Sequence, residues 1–235
     1  APEAKGQWPV VLALHGVNGS GQDMVELATR LASAGTVVFV PTYHSDISTT
    51  DDLVRAADDL SCAYQLARRA APDYGGDLSQ PVTAVGWSLG ADFVLLGSLQ
   101  GPGGEAATGR CPGQVPRPDV VVGLSGCYYE FDGQPVSWFD DITGWDNKDA
   151  AVRLVAGDRD TTCPAWQSEK LVAALGAEGY HADLTRLADA NHFAPVFHDM
   201  RNGQWQVITD DPPGERTVQV ILDAIAAGRQ TRPTD

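Results

Sequence analysis

The chain has 235 residues, enough to bury a full core without metals or staples, and its 43 % hydrophobic and 20 % charged residues are ordinary globular usage. That excludes disorder, collagen and coiled coil, and no apolar run reaches the roughly 20 residues that span a bilayer. Lys+Arg number 16 against 31 Asp+Glu, a net charge of −15, so the surface repels phosphate backbones and anionic lipid and no nucleic-acid partner is expected.

Short β-branched runs alternate with helical patterns along the chain. Val10 to His15 reads as a buried strand, and the stripe Met24, Leu27, Ala28, Leu31 as the helix after it. Thr36 to Pro41 is a second strand, followed by a longer stripe through Leu53, Ala57, Leu60, Tyr64 and Ala67. Val82 to Trp87 is the third strand, with a helix over Leu89 to Ser98. Gly101 to Pro118, rich in Gly and Pro, reads as a surface loop before the fourth strand, Val120 to Leu124. Cys127 to Asp149 is irregular and holds Tyr128, Tyr129, Phe131, Trp138, Phe139 and Trp145, which either line a pocket or pack over the sheet. Ala151 to Ala156 is a fifth strand with a helix over Trp166 to Leu175, and His181 to Leu187 a sixth. Ala194 to Pro213 is irregular, and Val218, Ile221, Leu222 and Ile225 stripe the last helix. The first five strands are almost continuously apolar, as parallel strands covered on both faces are. The expected fold is α/β: a mainly parallel sheet of about six strands with helices on both faces, as one domain over residues 1–235.

The decisive motif is Gly86-Trp87-Ser88-Leu89-Gly90, a G-x-S-x-G between a strand and a helix. Such a turn is so tight that its serine adopts a strained backbone, and the flanking glycines are needed because a β-carbon there would strike backbone. The hydroxyl stands above the sheet at a helix amino end. A serine hydroxyl is a poor nucleophile at neutral pH and needs a base, which in turn needs an orienting group. The base belongs after the last strand: His192 is the candidate and His198 the runner-up. His181 starts a strand and is more simply solvated or packed; His44, ending the second strand, either lines the site or is structural. The acid belongs after the fifth strand, in Gly157-Asp158-Arg159-Asp160. Asp160 is the choice because the turn carries it toward the histidine; Asp158 is the alternative, or else a cap or a partner of Arg159. Oxyanion donors are expected from the backbone N–H groups of Leu89 and of Val17, in the loop His15-Gly16-Val17-Asn18-Gly19, with His15 bracing that loop. Asn18, Trp87, Tyr128, Trp138 and Phe193 are the candidates for the pocket wall.

The motifs HGVNGSG at 15–21, GWSLG at 86–90, GDRD at 157–160 and ANHF at 190–193 resemble those of α/β-hydrolase superfamily serine hydrolases, in the order Ser88, Asp160, His192. The resemblance runs from Val10 to about Ala227. Asp73-Tyr74-Gly75-Gly76-Asp77 is similar to a segment of bacterial carboxylesterases and lipases, and HFAP at 192–195 with the GWSLG elbow is similar to cutinase-like polyester hydrolases. The chain departs from the family in three ways. Only nine residues precede Val10, where two further strands are usual; Gly16 is followed by Val17 rather than more glycines; and no sizeable cap follows the fourth strand. Dienelactone hydrolases have a similar size and architecture but use a cysteine where Ser88 stands. The resemblance implies a serine esterase, lipase-like or polyester-cleaving, acting on small or polymeric esters through an acyl-enzyme. A peptidase or amidase with the same triad is the first alternative, and a silent binding protein the second.

Four cysteines, Cys62, Cys111, Cys127 and Cys163, form no CxxC pair, which argues against a zinc ribbon or a thioredoxin-like site. Their wide, even spacing fits two disulfides in an exported protein, and Ala1–Lys5 reads as a mature end; four buried thiols in a cytoplasmic protein is the other reading. Strand order puts Cys127 and Cys163 after neighbouring strands, leaving Cys62 for Cys111, one of three possible connectivities. His192 and His198 lack the i, i+4 spacing of a helical zinc pair, and no Gly-rich nucleotide loop is present, so no metal and no cofactor are expected. A monomer is expected.

Overall fold

The computed structural model describes residues 7–100, 111, 117–201 and 204–231. In chain order the elements are β1 (Val10–Leu14), α1 (Val25–Ser33), β2 (Val37–Phe39), α2 (Thr50–Ala70), β3 (Val82–Trp87), α3 (Leu89–Leu99), β4 (Val120–Leu124), β5 (Glu130–Phe131), β6 (Gln134–Pro135), β7 (Ala151–Gly157), α4 (Ala165–Ala177), β8 (Ala182–Leu187), β9 (His198–Arg201), β10 (Gln204–Val207) and α5 (Pro212–Thr231). Most of the loop expected over Gly101 to Pro118 lies outside the described residues.

Six strands form one sheet in the order β2-β1-β3-β4-β7-β8, every pairing parallel. The fold is that of the α/β-hydrolases. Strand alternation splits the core in two. Val10, Leu12 and Leu14 of β1 lie on the sheet face covered by α2, α3 and α4, in one cluster with Ala56, Tyr64, Phe93, Leu95, Leu171 and Leu175. Val11 and Ala13 face α1 and α5, with Met24, Leu27, Leu31, Val218, Ile221 and Ile225. Both faces of the central strands are thereby covered, which is why their sequences are unbroken apolar runs. The outer strands β2 and β8 are half-buried, and β8 accordingly alternates apolar and polar residues.

Three sequence expectations are refined. Met24 belongs to a 3-10 turn, Gly21–Met24, closed by a Ser20/Asp23 capping box, so α1 itself starts at Val25. Helix α2 extends to Thr50, where Thr49 and Asp52 form a second capping box. Both irregular segments contain hairpins: β5 pairs antiparallel with β6, and β9 with β10. The aromatic segment mainly packs. Phe139, Trp145 and Tyr128 are buried in the core against α3, and Tyr128 is fully buried. Tyr128 is therefore corrected from pocket wall to core.

The chain leaves β1 toward β2 on one side, then crosses back to β3 and continues to β8 on the other. The carboxyl ends of β1 and β3 thus flank the point where the winding reverses, the usual place for a site on an open parallel sheet. The loop after β1 and the turn after β3 are the HGVNG and GWSLG segments.

Candidate active site

Ser88 sits between β3 and α3 with φ 55° and ψ −125°, a backbone conformation that side chains rarely adopt, at a cost of about 1–3 kcal/mol. Two contacts hold it there. Its N–H donates to the Leu124 carbonyl at 2.9 Å, and its carbonyl accepts from Ala91 N–H at 2.8 Å. Glycine is required on both sides. A β-carbon on Gly86 would run into the Gly90 backbone, and one on Gly90 would stand 2.5 Å from the His15 carbonyl oxygen. The serine is 4 % exposed and opens α3, whose first N–H groups have no partner within the helix. Leu89 is the first residue of α3.

The loop after β1 lies against the serine. Gly16 packs so closely that a β-carbon on it would be 3.1 Å from Ser88 Cβ. His15 braces this loop from below. Its Nδ1–H donates to the Gly16 carbonyl at 2.8 Å, while Nε2 accepts the Tyr43 N–H at 3.3 Å. The Tyr43 hydroxyl donates to the His15 carbonyl at 2.7 Å, and the two rings stack with centroids 4.3 Å apart. These bonds need a neutral imidazole with its proton on Nδ1, and burial lowers the His15 pKa in the same sense. Asn18 takes φ 53° and donates its N–H to the Ser45 carbonyl, and the Gly19 N–H turns back to Gly16. Val17, just before them, is exposed, as is Asn18.

The turn after β7 presents Asp160. Its Oδ1 accepts the N–H groups of Thr162 and Cys163 at 2.9 and 2.8 Å, leaving Oδ2 for His192 Nδ1 at 2.9 Å. Both side chains of that pair are almost completely buried. Asp158 points elsewhere: it binds the Arg186 guanidinium on the surface, and Arg159 pairs with Asp189. Of the roles open to Asp158, the structure shows an ion pair, with Arg186 rather than Arg159.

The loop bearing His192 is shaped by Asn191, whose Oδ1 accepts the Phe193 and Ala194 N–H groups at 3.0 and 3.1 Å and whose Nδ2 donates to Asp199. The Trp87 indole N–H donates to the His192 carbonyl at 2.8 Å, tying the residue before Ser88 to the loop bearing His192. The Trp87 and His192 rings lie 5.4 Å apart, and Phe193 stands edge-on to His192 at 5.1 Å. His198 is buried and donates from Nδ1 to the Val196 carbonyl. His44 pairs with Asp52 at the start of α2, and His181 is exposed ahead of β8. Trp138 stacks on Phe93 of α3. Among the described residues no cluster of three His, Cys, Asp or Glu side chains could hold a metal ion.

The structure brings Asp160 and His192 into contact and links the His192 loop to the serine turn through Trp87. Sequence reasoning missed Tyr43, Asn191 and Trp205. An asparagine just before a loop histidine is a turn-forming signal that could have pointed to Asn191. Tyr43 and Trp205 carry no local signal, because each reaches the site only through tertiary packing. The disulfides are Cys62–Cys111 and Cys127–Cys163, with Cα–Cα separations of 5.2 and 4.7 Å.

Comparison with known proteins agrees with the fold. The prolyl oligopeptidase family model matches residues 128–207, a stretch that carries Asp160 and His192 but not Ser88. No curated protein gives a match. Among solved structures, the propionate-bound esterase 2 of the planctomycete Thermogutta terrifontis superimposes with a TM-score of 0.70 at 14 % identity, over 100 % of this chain and 88 % of that one. The same esterase phosphoramylated by tabun gives 0.70 at 13 % identity, over 98 % and 87 %. TT1662 of Thermus thermophilus gives 0.62 at 18 % identity, over 98 % and 92 %.

Proposed function

We propose that this chain is a serine carboxylic-ester hydrolase, one α/β-hydrolase domain over residues 1–235, with Ser88 as nucleophile, His192 as base and Asp160 as its orienting acid. The observation that carries the reading is the buried 2.9 Å hydrogen bond between Asp160 and His192, on a loop held to the serine turn by Trp87. With Nδ1 engaged by Asp160, Nε2 is left to take the Ser88 proton as Oγ attacks the ester carbonyl. The tetrahedral oxyanion is received by the N–H groups of Val17 and Leu89; losing one such donor typically costs about 3 kcal/mol of transition-state stabilisation. Collapse of the intermediate breaks the ester bond, and His192 passes its proton to the departing alcohol. Water, deprotonated by His192, then cleaves the acyl-enzyme and restores Ser88.

The substrate class is a small or polymeric ester. A peptidase on the same triad is the second reading, favoured by the prolyl oligopeptidase match over residues 128–207. A dienelactone-hydrolase-like activity is disfavoured by Ser88 in place of cysteine. Two disulfides fit an oxidising, extracytoplasmic location. No described helix is long and apolar enough to cross a membrane.

A panel of p-nitrophenyl esters of rising acyl length, beside matched anilides, tests the reading. Ester turnover should exceed amide turnover, and Ser88→Ala should lower kcat by about 10^4-fold or more. The Thermogutta esterase is phosphorylated by paraoxon. The same reagent should add one diethylphosphoryl group here, on the peptide carrying Ser88. Undiminished turnover in Ser88→Ala would discard the mechanism, and faster anilide cleavage would select the peptidase.

A further inference from the structure

Beyond the triad, one side chain of the β9–β10 hairpin stands in an informative place. The hairpin follows His192 directly. His198 N–H donates to the Phe193 carbonyl at its start, and Ile208 N–H donates to the Phe197 carbonyl at its end. This clamps β10 beside the histidine loop. The Trp205 ring then stands edge-on to Phe193 at 4.6 Å, to Trp87 at 5.9 Å and to His198 at 5.7 Å. Phe193 and Trp87 are the two rings packed on His192. Trp205 therefore forms the outer layer of an aromatic stack whose inner layer flanks the histidine.

Packing alone does not account for it. A tryptophan recruited only to brace a loop buries its ring, but Trp205 is 50 % exposed. Val207, two residues along the same strand and so on the same face, is 53 % exposed. An indole fixed by three rings, half exposed and with an apolar side chain beside it on the strand, is a preorganised surface for a planar or bulky apolar group.

The chemistry says which part of an ester would meet it. Asp160 occupies Nδ1 of His192, so the proton delivered to the leaving oxygen comes from Nε2, and the alcohol departs past the histidine. The rings packed on His192 therefore border the alcohol side of the ester.

We propose that Trp205 is a specificity-determining residue for the alcohol part of the substrate, and that the enzyme prefers esters of aromatic or bulky apolar alcohols over those of small alkyl alcohols. The proposal rests on the ester-hydrolase reading above.

Benzyl acetate against ethyl acetate tests it. Both give the same acetyl-enzyme, so the ratio of their kcat/KM values reports the alcohol side of the first half-reaction alone. Wild type should favour benzyl acetate. Trp205→Ala should lower kcat/KM for benzyl acetate about tenfold more than for ethyl acetate, the scale on which apolar pockets discriminate. Trp205→Phe, which keeps a ring, should restore most of the ratio. Absence of benzyl preference in wild type, or an equal loss on both esters in Trp205→Ala, overturns the proposal; the equal loss would mean that Trp205 only braces the His192 loop. Ser88→Ala run alongside separates the two readings. If it cleaves both esters as wild type does, or if wild type cleaves neither, the ester-hydrolase reading itself fails.

Discussion

Single residues carry most of the chemistry, and several do so by holding unfavourable states. Ser88 accepts a strained backbone because the Leu124 and Ala91 contacts and the glycines around it leave no relaxed alternative. Burial lowers the His15 pKa, and its two nitrogens serve one acceptor and one donor, the pattern of a neutral imidazole. Asp92, four residues after Ser88 in the first turn of α3, is a third such residue. It is buried against the core, and burial pushes its carboxyl well above the usual carboxylate range. Folding therefore takes up a proton at this residue once the unfolded chain's aspartate has ionised, above about pH 4. Stability is lost as pH rises from there toward the folded pKa. Asp92→Asn removes that linkage while keeping the shape. Its advantage over wild type should grow with pH, by up to about 1.4 kcal/mol per unit. Urea unfolding at pH 5 and pH 7 measures this, and a difference that does not change with pH would refute it.

Among elements, the turn after β7 shows how a covalent bond and a hydrogen bond share one task. Cys163 donates its N–H to Asp160 and is bonded to Cys127, which follows β4. The disulfide thus anchors the acid turn to the neighbouring strand. Replacing both cysteines by serine should free the turn, lowering kcat/KM by roughly ten- to a hundredfold, the scale of a misplacement of about 1 Å. Full esterase activity in that double variant would show that the amides alone position Asp160. The two hairpins illustrate a missed signal. Asp132-Gly133 joins β5 to β6 with φ values of 50° and 70°, and Asn202-Gly203 stands between β9 and β10. Both dipeptides are the commonest marks of a tight hairpin. The flanking residues are too polar for either strand to stand out by alternation, so periodicity passed over them.

For the whole molecule, the reversal of winding between β1 and β3 sets where the candidate site lies, and the disulfides tie down two long loops of the chain. Cys62–Cys111 closes a 49-residue separation that contains β3, the serine turn and α3. Chain-entropy arithmetic for a loop of that size gives about 4 kcal/mol of stabilisation. Cys62→Ser with Cys111→Ser should lose most of that in guanidinium unfolding. A loss below about 1 kcal/mol would mean that the unfolded chain is already compact there. The net charge of −15 remains a property of the surface. The pairs near the site are internal to it, and Asp160 and His192 meet out of solvent.

The sequence by itself determined the six strands of the main sheet, the helices between them and the serine turn. Those features are local: apolar runs need two covered faces, and a G-x-S-x-G between strand and helix has one geometry. It also narrowed the acid and the base to two candidates each, since each must follow a particular strand. The tertiary structure gives the members of each pair different partners, and those partners favour Asp160 and His192 for the proposed triad. Asp158 and Asp160 are two residues apart, yet one meets Arg186 in solvent and the other His192 in the interior. The tertiary structure also sent Tyr128 inward and brought Tyr43 and Trp205 to the site. Such contacts join residues far apart in the chain, and packing between layers sets them, which no local pattern encodes.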